Sequence, residues 1–196
     1  MKTKQHFLDY IKFLFLVVTL WLLAPSNMQA QRYIAGFEAI EFRAGVIENN
    51  SGLTVNFGYS KYTPKRNRWL LDMDYLQRDY SYGTMKIPLR QFTVSAGKNI
   101  LLYSDWTKTF FASVGSNVLL GYELINDGKK LLPDGALILS QDRFIYGLTF
   151  NIEMEYYFDD NRIIIGGLRQ RAMLGSTVTP FHTQFFIGFK YIINNK

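Results

Sequence analysis

Over residues 144–158 the chain reads FIYGLTFNIEMEYYF, and every second residue is large and apolar: Phe144, Tyr146, Leu148, Phe150, Ile152, Met154, Tyr156 and Phe158. Between them stand Gly147, Thr149, Asn151, Glu153 and Glu155. Successive side chains of a strand point to opposite faces, so this pattern makes one greasy face and one carboxylate-bearing face. Strands of soluble sheets are usually only about five or six residues long. Alternation sustained this far fits a strand with lipid outside and polar side chains inside. The expectation is an all-β fold: an eight-stranded antiparallel up-and-down transmembrane β-barrel of the outer-membrane type.

The rest of the chain supplies the other strands. Period-two segments are expected at 38–47, 52–62, 68–80, 86–98, 106–122, 162–174 and 181–193, around the opening one at 144–158. Glu41 and Arg43 oppose Phe42, and Asp72 and Asp74 oppose Leu71 and Met73. Gln91, Thr93 and Ser95 oppose Phe92 and Val94, while Arg169 and Arg171 oppose Leu168. An even strand number places both termini in the periplasm. The periplasmic connections are then 63–67, 99–105 and 159–161, and the opposite side carries 48–51, 81–85, 123–141 and 175–180. Tyr33, Phe37, Tyr59, Tyr62, Trp69, Tyr80, Tyr82, Trp106, Tyr156–Phe158 and Tyr191 fall near strand ends. Amphipathic rings prefer the headgroup level, so they are expected to form two aromatic girdles.

Residues 1–30 stand apart. Lys2, Lys4 and Lys12 precede an apolar run from Phe13 to Ala24, then Pro25, Ser26 and a small residue at Ala30. That layout reads as a secretory signal peptide, too short to be an ordinary membrane-spanning helix. Residues 31–196 are then one outer-membrane barrel domain of a Gram-negative cell. The chain has no cysteine, which excludes disulfides, a lipid-modified amino-terminal cysteine and thiolate chemistry. Without residues 1–30, which hold three Lys and one Asp, the formal charge falls from +6 to +4, which is weak support for nucleic-acid binding, and none is expected. Mean hydropathy of −0.04 excludes a helical membrane protein but suits alternating strands.

Eight strands enclose a lumen that side chains fill. Charges there must be paired, so Glu41, Arg43, Asp72, Asp74, Arg90, Arg143, Glu153, Glu155, Arg169, Arg171 and Lys190 are read as a lumen ion-pair network. Glu153 and Glu155 are expected to pair with Arg169 and Arg171 across the 159–161 turn. A catalytic reading of these acids is far weaker than the structural one. His182 with Ser176 could imitate a lipid-deacylating barrel, but no acidic orienter or nucleophile motif accompanies them, and a solvated loop histidine is expected. One histidine outside the signal argues against zinc, and no glycine-rich phosphate loop precedes a helix. No catalytic residue, metal or cofactor is expected. The 123–141 connection carries turn signals at Asn126-Asp-Gly128 and Pro133-Asp-Gly135. Its Leu131, Leu132 and Ile138 are too apolar for a solvated loop, so Asn126, Asp127, Leu131, Leu132, Asp134 and Ile138 form a candidate partner surface, or else a cover over the barrel mouth.

The run Gly121-Tyr-Glu-Leu-Ile-Asn126, with Asp134-Gly135, Ile138-Leu-Ser140 and Asp142-Arg-Phe-Ile-Tyr-Gly147, resembles the central signature of the conjugative-transposon TraO family. Leu174-Gly175, Phe181 and Ile187-Gly-Phe-Lys-Tyr191 resemble its end. The chain departs from that pattern at His182-Thr183, Phe186 and Met173-Leu174. Gly188, Tyr191 and Ile193 match the carboxyl-terminal insertion signal of outer-membrane barrels, although the chain continues through Lys196. The resemblance implies a structural or docking component of a conjugative DNA transfer apparatus, set in outer-membrane lipid beside other conjugal transfer proteins. It implies no catalytic residue. The rival expectations are a general barrel for adhesion or surface protection, a lipid-modifying barrel enzyme, and a soluble periplasmic β-sandwich.

Overall fold

The structure is a computed structural model that describes residues 35–48, 52–64, 67–82, 85–129, 137, 142–176 and 180–194. The signal segment expected at 1–30 and Tyr33 lie outside the described residues, as does the side chain of Tyr82. Eight antiparallel strands follow in chain order: β1 Glu38–Ile47, β2 Gly52–Thr63, β3 Asn67–Tyr82, β4 Met85–Ser104, β5 Phe110–Ile125, β6 Arg143–Tyr157, β7 Arg162–Leu174 and β8 Phe181–Asn194. Each pairs with the next, and β8 pairs with β1 to close the barrel. Glu38 stands opposite Asn194, so the first and last strands share one end, called here the terminal end.

Closure requires stagger, which the register supplies. A row starting at Glu38 runs through Lys61, Trp69, Lys98, Ser116, Phe150, Gln170 and Thr183. Its last member adjoins Gln184, which lies beside Ile47 at the opposite end of β1. The strands are therefore strongly tilted to the barrel axis.

The alternation resolves as expected for lipid outside and polar groups inside. Phe42, Phe57, Met73, Phe92, Val118, Phe150, Met154 and Phe185 are exposed on the outer wall, while Glu41, Asp72, Ser95, Asn117, Glu153 and Arg169 are buried inside. An apolar outer wall over a charged interior excludes a soluble sandwich, whose core would be apolar.

Three expectations about the terminal end need correction. β4 runs six residues past the expected Lys98, to Ser104, so its turn is Asp105–Thr109 and β5 begins at Phe110. A register shift between Leu101 and Tyr103 is the reason: one extra residue puts both Leu102 and Tyr103 outside and breaks period two. Asp105 shapes the new turn by accepting bonds from the Thr109 and Phe110 amides at 2.8 and 2.9 Å. Phe37, Tyr62 and Tyr157 do not join a girdle. They are buried with Ala39, Phe111, Ile163, Ile165 and Ile192 in an apolar plug inside the terminal end. The rings that do ring this end from outside are Tyr59, Trp69, Tyr103, Tyr156 and Tyr191, with the Lys98 ammonium 5.7 Å from the Trp69 ring centre.

Candidate functional site

The lumen is layered. Above the terminal plug lies a charged layer, and above that two smaller apolar clusters: Ile47, Leu76, Leu89 and Ile125, and Leu119, Ile145 and Met173.

Ten charged side chains from β1, β3, β6, β7 and β8 make one connected network. Arg68 of β3 bonds both Glu153 and Glu155 of β6. Lys190 Nζ of β8 lies 2.6 Å from Glu155 Oε1 and 3.3 Å from both Glu153 Oε1 and Glu41 Oε1. Arg43 is the hub: it bonds Glu41 beside it, Asp72 Oδ1 at 3.0 Å and Glu153 Oε2 at 3.1 Å. Arg169 continues the chain to Asp72 Oδ2 at 2.9 Å and Asp74 Oδ1 at 2.8 Å, and Arg171 adds Asp74 Oδ1 at 2.9 Å. Asn56 accepts from Arg43 at 2.9 Å and donates to Asp74 at 2.8 Å. The Phe186 ring lies against both guanidiniums, 5.5 Å from Arg43 and 5.8 Å from Arg169. Five acids face five bases, so the layer is electrically neutral. Buried charges survive in low dielectric only with such compensation.

Nine of the eleven network residues read from the sequence are brought together here. Arg90 is not: it shares the parity of Phe92 and Val94 and lies half-buried on the outer face. Arg143 is also excluded. It has the lumen parity but stands exposed as the first residue of β6, beyond the charged layer. The predicted partners are exchanged as well. Glu153 pairs in register with Gly167, and Glu155 with Ile165, whereas Arg169 and Arg171 stand beside Asn151 and Thr149. The arginines are thus nearer the loop end and reach across the lumen to β3. Arg68 was missed, although it has the parity of Asp72 and its position was legible at the start of β3.

A second polar group lies toward the loop end. The buried Glu123 accepts from Gln91 Nε2 at 2.7 Å and Ser176 Oγ at 2.9 Å, which fastens the β7–β8 connection to β5. His182, expected in solvent, is instead buried on β8, with Nε2 3.4 Å from Gln184 Nε2. Its Cα partner is Arg171, so the polar side of β8 turns it into the lumen. Ser176 donates to Glu123 and not to His182. Among the described residues no group of three or more His, Asp and Glu could hold a metal. In the candidate partner loop, Asn126 and Asp127 form a 3-10 turn at the end of β5, and Ile125 N is held by Asp142 Oδ1 at 2.9 Å. Leu131, Leu132, Asp134 and Ile138 lie outside the described residues.

With this geometry in view, the sequence profile of the conjugative transposon protein TraO matches residues 29–193. The chain belongs to the TraO family of conjugative transposon proteins. No curated protein matches it. Among solved structures it is similar to the outer membrane protein OprG from Pseudomonas aeruginosa, with a TM-score of 0.55 and 12% identity over 86% of this chain and 100% of that one. It is similar also to Neisserial surface protein A, with a TM-score of 0.52 and 15% identity over 80% of this chain and 97% of the other. Ail of Yersinia pestis, in complex with the heparin analogue sucrose octasulfate, gives 0.52 and 10% identity over 81% and 99%. At these identities the likeness concerns the fold. The TraO-family chain therefore combines a conjugative-transposon lineage with an eight-stranded outer-membrane-type barrel.

Proposed function

We propose that this barrel sits in the outer membrane and serves the conjugative transfer apparatus as an anchoring or docking component, without passing DNA and without catalysis. The observation that carries this is the filled lumen. Apolar plug, neutral ion layer and two apolar clusters succeed one another along the axis, and the charged side chains of the middle layer are almost wholly buried, which leaves no water-wide path through that layer. A barrel so filled acts through its surfaces: the outer wall, the terminal-end turns and the loops. The lumen carboxylates support the non-enzymatic reading, because Glu41, Asp72, Asp74, Glu153 and Glu155 are each held by one or more cations. General acid–base work needs a group free to exchange its proton with substrate. The family likeness supports the transfer pathway, and the apolar outer wall supports the membrane.

The test is deletion of the gene from a transfer-competent element, with plasmid-borne rescue. Loss of transfer that the wild-type barrel restores is expected. Rescue is expected to persist when lumen pairs are replaced in charge-balanced fashion, provided the protein still folds. Unchanged transfer frequency after deletion would refute the role.

A further inference from the structure

The loop-end rim is uneven. β2 begins at Gly52, which stands opposite Arg78 of β3, and β3 runs on beyond it through residues 79–82, about 13 Å of strand. These four residues pair with β4 from Pro88 to Met85. Among the described residues none pairs with their other side. The far side of the hairpin differs, because the 3-10 turn Asn126–Gly128 lies against β4. β3 therefore presents an open sheet edge at the mouth.

Two observations fix which groups that edge presents. A Cβ on Gly52 would meet the Gln77 carbonyl oxygen at 2.5 Å, so that oxygen faces β2. Backbone directions alternate along a strand, which turns the N–H and C=O of Asp79 and Ser81 to the same side. Pro88, the partner of Asp79, agrees with this. It cannot donate, which suits a pair where β3 and β4 exchange no hydrogen bond and Asp79 points its backbone groups away from β4. Two donors and two acceptors thus line the open side. Tyr80 and Ile87 pack on Ile47, Leu76, Leu89 and Ile125, which holds the hairpin in place before anything binds. A recess of about 620 Å³ lies along the edge, lined by Val46, Leu53, Gln77, Arg78, Asp79 and Ser81.

We propose that the β3 edge at Asp79 and Ser81 receives an extended segment of another protein as an added strand, with a carboxylate side chain beside Arg78. A row of backbone donors and acceptors is matched by extended backbone, and by neither lipid nor a helix. Charge complementarity selects the side chain. The half-buried Arg78 guanidinium lies 4.9 Å from the Tyr80 ring centre, and no carboxylate contacts it among the described residues. A residue opposite Tyr80 shares the face of Tyr80 and Arg78 and comes within reach of that guanidinium. A second copy in the same membrane does not fit. A two-fold axis along the membrane normal sets two tilted strands across each other, not side by side. The chain's own connection there has only four residues in which to turn β1 into β2, too few to add a strand as well. The inference rests on the docking reading of the barrel and names the edge and the partner chemistry that docking uses.

The cysteine-free chain allows a tethering test. Leu53→Cys, beside the edge, is made in the full chain, and heat-modifiable migration confirms that it folds. The probe is the blocked peptide Cys-Gly-Thr-Val-Glu-Val-Thr in a thiol-exchange buffer, and the yield of mixed disulfide measures pairing. With the glutamate opposite Tyr80, both valine amides face β3. Methylating them should lower the yield at least roughly tenfold, whereas methylating the glutamate amide, which faces away, should leave it unchanged. Ser81→Pro removes one edge donor without touching the β3–β4 ladder and should lower the yield roughly fivefold. Arg78→Met should lower it by a similar factor. If Ser81→Pro does not fold, the methylated peptides decide, because they need no change at the edge. Equal yields from all three peptides overturn the proposal, as does the same methylation pattern at Phe144→Cys on the opposite wall. A disulfide-linked dimer of Ser81→Cys in lipid vesicles puts a second copy on the edge and overturns it too. Peptide capture is read on the isolated barrel, so failure here is distinguishable from failure of the transfer role in the deletion test.

Discussion

Replacing Arg43 by methionine removes the hub of the lumen network while keeping most of its volume. Arg43 touches Glu41, Asp72 and Glu153, and all four side chains are almost wholly buried. After the change Asp72 keeps Arg169, and Glu153 keeps Arg68 and Lys190. Glu41 keeps only the Lys190 contact at 3.3 Å, and the neutral layer acquires one uncompensated negative charge. Breaking a buried pair by removing one partner costs about 3–5 kcal/mol, so Arg43→Met should destabilise the barrel by that order. Adding Glu41→Gln restores neutrality and should recover at least roughly half of the loss, because the penalty lies mainly in the orphaned charge. As a reference, Lys61→Met breaks the Lys61–Glu38 pair, whose lysine side chain is 54% exposed. That change should cost far less, because solvent screens an exposed pair. Urea unfolding in lipid vesicles, read by tryptophan fluorescence and by heat-modifiable migration, measures all four proteins. An Arg43→Met midpoint equal to that of Lys61→Met, or a double variant no more stable than Arg43→Met, would refute the reasoning.

Two further outcomes follow from local geometry. Gly147 packs so closely on β7 that a Cβ would lie 2.0 Å from the Ala172 carbonyl oxygen, a backbone atom that cannot swing aside. Gly147→Ala should therefore destabilise folding by about 1–3 kcal/mol in the same unfolding assay, and a wild-type midpoint would contradict it. In the β4–β5 turn, bonds from the Thr107 hydroxyl and then from the Phe110 and Thr109 amides hold the Asp105 carboxyl below its usual range. A lowered carboxylate stabilises above its unfolded value and loses that contribution as pH falls through its folded value. Protection of the Thr109 and Phe110 amides against exchange, taken relative to their intrinsic rates at each pH, should fall over that acidic window. Asp105→Asn should abolish the dependence, and persistence of it would implicate another group.

Much of the barrel was legible because strand geometry is local. Period two assigned residues 144–156 of β6 alternately to lipid and lumen, and the structure keeps that alternation. The same parity would have removed Arg90 from the lumen and admitted Arg68, so those two errors lay in applying the rule. The exchanged ion partners are partly of this kind. A hairpin turning at residues 159–161 already places Glu155 beside Ile165 and Arg169 beside Asn151. Other features left no such trace. The extra residue near Leu102 looks in sequence like the loss of a strand, and Tyr62 and Tyr157 look like girdle rings.

By itself, the order of residues determined the strand count, the two differently wetted faces and the family. Each follows from alternation and motifs within short stretches of chain. Only closure of the barrel decided which charges meet. Arg169 reaches Asp72, 97 residues away, and Arg68 reaches Glu155, 87 residues away, because stagger and tilt bring opposite walls to a common height. Side-chain direction is fixed by neighbouring backbone, whereas apposition across a lumen depends on the register of all eight strands at once.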